Sequence, residues 1–198
     1  GVPIWMAAFG SAIAIIVVKQ LFGGIGQNFA NPACTARIIL FISFAGPMTD
    51  WVTGYPDAVS GATPLATGTA SYMDLFLGNI GGSLGETCKL ALLIGLVYLL
   101  VRKVITWHTP VCFVGVVFLL SAAFGLDPVY SILSGGVFLG AFFMATDYAT
   151  TPSTALGRAI FGMGCGALTV IIRVFCSYPE GVSFAILIMN ILSPHIEI

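Results

Sequence analysis

From Val104 to Thr146 only Asp127 carries a full charge at neutral pH, and apolar residues fill most of the remaining positions. A helix needs about 20 mostly apolar residues to cross roughly 30 Å of hydrocarbon. Segments of this quality recur near 4–22, 32–48, 86–103, 108–124, 128–146, 153–177 and 181–194, which predicts about seven membrane helices. The composition agrees, with 58% hydrophobic residues, 8% charged residues and a mean hydropathy of +1.04. A soluble domain carries charge on about a quarter of its residues. The expected fold class is therefore all-α, a polytopic membrane helical bundle forming one transmembrane domain over 1–198. A net charge of −1 and the lack of any basic run argue against a nucleic-acid partner. The first residues, Gly1-Val2-Pro3-Ile4-Trp5, show neither an initiator Met nor the basic start of a signal peptide, so the chain reads as part of a longer polypeptide.

One region breaks the pattern. The segment 49–85 is rich in glycine, serine and threonine, contains Pro56 and Pro64, and carries Asp50, Asp57 and Asp74. It reads as a long extramembrane or interfacial loop, with a short re-entrant piece near 75–80. Lys and Arg favour cytoplasmic loops, and charge assigns the faces. Lys19, Arg37, Arg102, Lys103 and Arg158 fall on one side, while Asp50, Asp57, Asp74, Glu86, Asp127 and Glu180 fall on the other with Lys89 and Arg173. The predicted topology puts the 49–85 loop outside and the C-terminus inside a prokaryotic cell membrane.

Two polar interruptions stand beside prolines. Gly23 to Asn28 precedes Asn31-Pro32, and Thr146 to Thr151 precedes Pro152; Arg37 and Arg158 follow at similar distances. Tyr55-Pro56-Asp57-Ala58-Val59-Ser60 is echoed by Tyr178-Pro179-Glu180-Gly181-Val182-Ser183, which points to an internal repeat. Irregular backbone at membrane depth must be buried in protein or line a cavity, and discontinuous helices mark the binding site in transporter folds. The two interruptions are expected to meet and line a path for an ion or a cofactor, with Asn31, Asp147 and Thr151 as candidates. The competing reading is two turns between helices, with Asp147 a cap.

Other patterns carry less. The five cysteines at 34, 88, 112, 165 and 176 show no metal-ligand spacing, so neither disulfides nor zinc are expected. Gly24-Ile25-Gly26 lacks the third glycine of a dinucleotide fingerprint, since Phe29 stands in its place. Gly162-Met163-Gly164-Cys165-Gly166 lies within a span and predicts close helix packing. His108 and His195 are isolated and read as interfacial.

Four motifs, in order, carry a family resemblance: Leu21 to Asn28 leading to Asn31-Pro32-Ala33, Asp57 to Pro64, Leu77 to Thr87, and Ala145 to Tyr148 leading to Thr151-Pro152. Together they resemble the RnfD family, membrane subunits of the Rnf electron-transport complex, over almost the whole chain. The related NqrB proteins of the sodium-pumping NADH:quinone reductase are similar over the same regions. Against the family pattern, Phe29-Ala30 and Cys88 are departures, and the chain corresponds to the C-terminal two-thirds of the longer family protein.

The resemblance implies a fold like that of urea transporters and a membrane subunit of an ion-translocating ferredoxin:NAD oxidoreductase. It implies FMN held covalently on Thr63 by a phosphoester bond, in the motif Ser60-Gly61-Ala62-Thr63, and attached by a separate flavin transferase using FAD. The residues suit that chemistry: Gly61 and Ala62 leave a narrow backbone, Thr63 offers a hydroxyl nucleophile, and Asp57 is placed to help position a metal-bound phosphate. A second, noncovalent flavin such as riboflavin is allowed between helices. The implied partners are the other proteins of the Rnf complex, including the flavin-carrying RnfG and the membrane proteins RnfA and RnfE. Two other readings stay open: an NqrB protein of the quinone reductase, and a urea-transporter-like channel, which has no use for the acceptor motif.

Overall fold

The computed structural model describes all residues except 1, 25, 50, 53–59, 62–67, 69, 81, 83–84, 177–180 and 197–198. The described residues form a helical bundle. Helix α1 covers Ile4–Ala12 and runs on through wider π turns over Ile13–Gln20. After a turn in which Gly23, Gly24 and Gly26 all adopt left-handed φ, α2 spans Pro32–Ser43 and returns against α1. Only glycine takes that backbone freely, which is how the chain reverses within a few residues. Asn31 starts α2, its Oδ1 accepting from the backbone N–H of Ala33 at 3.0 Å and of Cys34 at 3.1 Å, with Pro32 in the first turn.

The region read as an outer loop contains more order than its composition suggests. A short helix α3 (Ala45–Thr49) leads into a two-residue antiparallel ladder pairing Trp51 with Gly61 and Val52 with Ser60. Helix α4 covers Tyr72–Leu77. The Tyr72 hydroxyl donates to Asp127, which also caps the helix following it.

Helices α5 (Lys89–Val101), α6 (His108–Ala123), α9 (Ala155–Phe175) and α10 (Val182–Ile196) make up the main bundle. At 21 residues, α9 is about 31 Å long and is long and apolar enough to cross a membrane; α1, α2, α5, α6 and α10 are shorter apolar helices. Helix α9 packs most closely along α6 and also against α10. Glycines permit this. A methyl group on Gly162 would lie 2.7 Å from the Thr109 carbonyl oxygen and one on Gly166 2.7 Å from that of Phe113. The expected close packing at this glycine run is therefore what forms, α6 backbone against α9 backbone.

The sequence predicts one continuous helix over 128–146, and here the structure differs. Helix α7 (Pro128–Leu133) stops, Ser134, Gly135 and Gly136 break the line, and α8 (Val137–Leu139) continues through π turns over Gly140–Met144. The break is internal, since Ser134 is fully buried. Backbone groups freed there are taken up by basic side chains. Lys89 Nζ donates to the Gly135 carbonyl at 2.9 Å, and Arg173 donates to the carbonyls of Ser131 at 2.7 Å and Ser134 at 3.3 Å. Glu86, Lys89 and Arg173, which charge counting places on the outer face, thus gather on this break, and Glu86 and Lys89 are almost fully buried.

The apolar core lies among α6, α8, α9 and α10, built on Phe113, Val117, Phe138, Phe142, Phe161 and Ile186. The exterior is equally apolar: Ile94, Val97 and Tyr98 on α5, Leu119 on α6 and Phe175 on α9 are all exposed. On α5 these residues stand three and four apart and share one face, and apolar surface of this kind marks contact with membrane or protein partners.

Candidate functional site

The two proline-marked interruptions do come together. Asn28 and Phe29 from the first, and Thr146 with Tyr148 to Ser153 from the second, line one cavity of about 350 Å³. Val104 to Thr106, Thr109 on α6, Arg158 on α9, and Asn190, Ser193 and Pro194 on α10 complete the wall. The size falls at the lower end of the range for small-molecule sites, about 300–1,000 Å³.

Local hydrogen bonding explains how the second interruption holds its shape. Asp147 folds the turn onto itself: its side chain accepts from the Ala149 N–H and the Thr150 hydroxyl, each at 3.4 Å, and its backbone carbonyl accepts from the Thr151 N–H at 3.1 Å. The Thr151 hydroxyl donates to the Ala145 carbonyl at 3.1 Å, and Thr154 caps α9 by accepting from the Gly157 N–H at 3.1 Å. Arg158 then reaches across the opening. Its Nε donates to the Pro152 carbonyl at 3.0 Å and Nη1 to the Thr106 hydroxyl at 3.3 Å.

Of the three residues that sequence reasoning nominates here, Thr151 lines the cavity while Asn31 and Asp147 do not. Asn31 is the cap of α2, and Asp147 is the residue that orders the turn presenting Thr150 and Thr151. Asn31 is thus a helix cap, while Asp147 caps no helix and orders the turn instead, Thr154 being the cap of α9.

Asn190 is the residue that sequence reasoning misses. It is 2% exposed, faces the cavity, and neither its Oδ1 nor its Nδ2 has a hydrogen-bond partner among the described residues. A buried amide left unpaired costs roughly 1–3 kcal/mol. Asn28 Oδ1, also on the cavity wall, is unpaired among the described residues as well. With Thr109, Thr150 and Ser193 nearby, the cavity offers uncharged donors and acceptors, and Arg158 is the one basic group among the described residues that line it. That set suits a largely neutral, hydrogen-bonding ligand better than a multiply charged one.

Asp57, Ala62 and Thr63 fall outside the described residues; Ser60 and Gly61 are seen as the second strand of the short ladder. Beyond it, Tyr72 and Asp127 tie α4 to the start of α7, and this hydrogen bond holds the Asp127 carboxyl below its ordinary range and pushes the Tyr72 phenol up. The five cysteines are all free, with Cys34 and Cys165 buried.

Comparison with known proteins covers the whole chain. The model of the NQR2, RnfD, RnfE family matches residues 1–198. The chain is 48% identical to the D component of the Na(+)-translocating ferredoxin:NAD(+) oxidoreductase complex of Acetobacterium woodii, over 98% of this chain and 64% of that protein. It is 42% identical to the D component of the proton-translocating ferredoxin:NAD(+) oxidoreductase complex of Clostridium ljungdahlii, over 99% of this chain and 67% of that one. Against the D component of the ion-translocating oxidoreductase complex of Stutzerimonas stutzeri the identity is 38%, over 98% and 68%. The chain therefore spans about two-thirds of the length of these relatives. The agreement of four ordered motifs, a full-length family match and an apolar helical bundle has one reading: the chain belongs to the NQR2, RnfD, RnfE family.

Proposed function

We propose that this chain is a membrane electron-transfer subunit of an ion-translocating ferredoxin:NAD oxidoreductase, carrying FMN on Thr63 through a phosphoester bond. The observation that carries the proposal is the Ser60-Gly61-Ala62-Thr63 motif standing in a chain that matches the D components of such complexes over 98% of its length. In attachment the Thr63 hydroxyl oxygen displaces AMP from FAD, so one phosphorus–oxygen bond replaces another and no redox change is needed. A separate transferase performs that step. The short ladder supports the reading, because it holds Ser60 and Gly61 in extended backbone at the start of the motif. Bound flavin accepts one or two electrons, while the protein fixes its position and tunes its potential. Peptide mass mapping of the purified complex tests the assignment, with the FMN mass expected on the peptide that contains Thr63.

The proposed setting is a multi-pass protein of a prokaryotic cell membrane, with the 49–85 loop outside and the 102–107 connection inside. RnfG and the other membrane proteins of the complex are its partners. The names of the Acetobacterium woodii and Clostridium ljungdahlii relatives specify ferredoxin:NAD(+) oxidoreductases, which favours that complex over the quinone reductase. A channel-only role leaves the acceptor motif without purpose.

The polar cavity is the proposed seat of the second, noncovalent flavin. Its support is the orphaned Asn190 amide, which presents both a donor and an acceptor as the imide edge of a flavin ring requires. Asn28, Thr150 and Arg158 would complete the contacts, and Asp147 acts through the turn it orders.

A further inference from the structure

We propose that the end of α5 binds an anionic phospholipid, with Arg102 and Lys103 holding the phosphodiester headgroup and the exposed face of the helix carrying an acyl chain. Such a lipid requires only that the chain lies in a membrane; neither the assignment of faces nor the flavin enters.

The backbone at Lys103 gives the first indication. Helix α5 closes in a double hydrogen bond, the Lys103 N–H donating to the Leu100 carbonyl and the Val104 N–H to the Leu99 carbonyl, each at 3.0 Å. In this Schellman closure the residue just past the helix takes left-handed backbone and is usually glycine. Lys103 stands there with φ +56°, and among the described residues it is the one residue other than glycine with positive φ. Glycine would close the helix without the steric cost of a β-carbon, as Gly78 does after α4 at φ +93°. A side chain kept in strained backbone points to a use for that side chain.

The helix dipole explains part of that use, since its negative end lies here. The surroundings explain more. Arg102 and Lys103 are both exposed, and neither has a hydrogen-bond or ion-pair partner among the described residues. No acidic residue stands between Glu86 and Asp127. Two adjacent cations in a stretch without acids offer a place for an anion.

The face of α5 below them identifies the anion's carrier. Leu90, Ile94, Val97, Tyr98 and Val101 are exposed, and their spacing puts them on one side of the helix. From Leu90 to Val101 this stripe is about 16 Å long, at roughly 1.5 Å per residue. One leaflet has the same depth, about half of a hydrocarbon layer roughly 30 Å thick. Trp107, in the connection that follows, is 58% exposed and supplies the kind of ring that sits at headgroup level. Cations at the end of a leaflet-length apolar stripe match a phospholipid in charge and in length. An acidic protein partner would match the cations alone.

The test uses the complete complex in proteoliposomes, with a phosphatidylglycerol that carries a diazirine in one acyl chain and a phosphatidylcholine carrying the same group as control. Cross-linked peptides are mapped by mass spectrometry after illumination. The α5 peptide should be labelled by the phosphatidylglycerol probe in preference to the phosphatidylcholine probe. Lys103→Gly should lower the phosphatidylglycerol labelling of α5 about fivefold, the worth of one basic residue near an anionic lipid, and leave the phosphatidylcholine labelling unchanged. Its unfolding temperature in neutral detergent should equal or exceed the parent's, because glycine suits the backbone there. Lys103→Arg should label as the parent does, and Arg102→Gln combined with Lys103→Gln should lose more than either change alone. Equal labelling by the two probes, absence of α5 labelling by both, or a phosphatidylglycerol signal unchanged in Lys103→Gly and in the double variant would each overturn the proposal. A destabilised Lys103→Gly with unchanged labelling would reduce Lys103 to a residue that serves the helix end.

Discussion

Glu86 and Gly136 lie in such close contact that any side chain on Gly136 would enter the space of the Glu86 carboxylate, with a β-carbon 2.8 Å from Oε2. Glu86 precedes α5 and Gly136 precedes α8, so this contact joins the end of the polar 49–85 region to the discontinuous helix. We expect Gly136→Ala to destabilise the detergent-solubilised protein by about 0.5–1.5 kcal/mol, the cost of turning the end of the Glu86 side chain away from its preferred rotamer. Glu86→Ala should relieve part of that cost. Thermal melts of the two single variants and the double variant measure the coupling; strictly additive effects would show that the contact carries no strain.

The glycine run on α9 makes a graded prediction. Gly162→Ala and Gly166→Ala drive methyl groups into backbone carbonyls of α6, each at 2.7 Å, where nothing can yield without moving a helix. Gly164→Ala meets the flexible tip of Met189 instead. Unfolding measurements should rank the first two as costing about 1–3 kcal/mol or more and the third clearly less. An equal cost at all three positions would contradict the packing described.

Much of this architecture is legible in the sequence, for physical reasons that vary by element. Apolar runs mark α1, α2, α5, α6, α9 and α10, because both a lipid-facing and a core-facing helix select apolar residues. The same uniformity hides the break at Ser134 to Gly136, since two glycines and a serine inside an apolar run also read as small packing residues. Charge counting does not reveal that Glu86 and Lys89 are buried, because it assumes that charge stays at the surface, whereas both pack on backbone that a broken helix leaves open. The two proline-marked segments are correctly brought together, yet Asn31 and Asp147 serve the backbone instead of the cavity. Asn190 leaves no pattern at all: one amide in an apolar helix acquires meaning only when its neighbours are known.

Asn190→Leu should weaken retention of noncovalent flavin by about tenfold, the worth of roughly one hydrogen bond to an uncharged ligand. Flavin released by acid precipitation of the purified complex measures it, and covalent flavin serves as the internal control. Unchanged release would remove the cavity as the second flavin's seat.

The proposed topology is open to chemical labelling. In a background lacking the five native cysteines, a cysteine at position 57 should react with a membrane-impermeant thiol reagent in intact cells, and one at position 103 only after lysis. The reverse order would mean that the faces are inverted.

The central claim is the flavin bond to Thr63, and in-gel fluorescence of the denatured protein addresses it most directly, because only covalent flavin survives denaturing electrophoresis. The parent protein, produced with its transferase, should fluoresce at its own mobility. Thr63→Ala should be dark at equal protein load while still inserting in the membrane, and Thr63→Ser should retain part of the signal through its own hydroxyl. Undiminished fluorescence from Thr63→Ala would contradict the account.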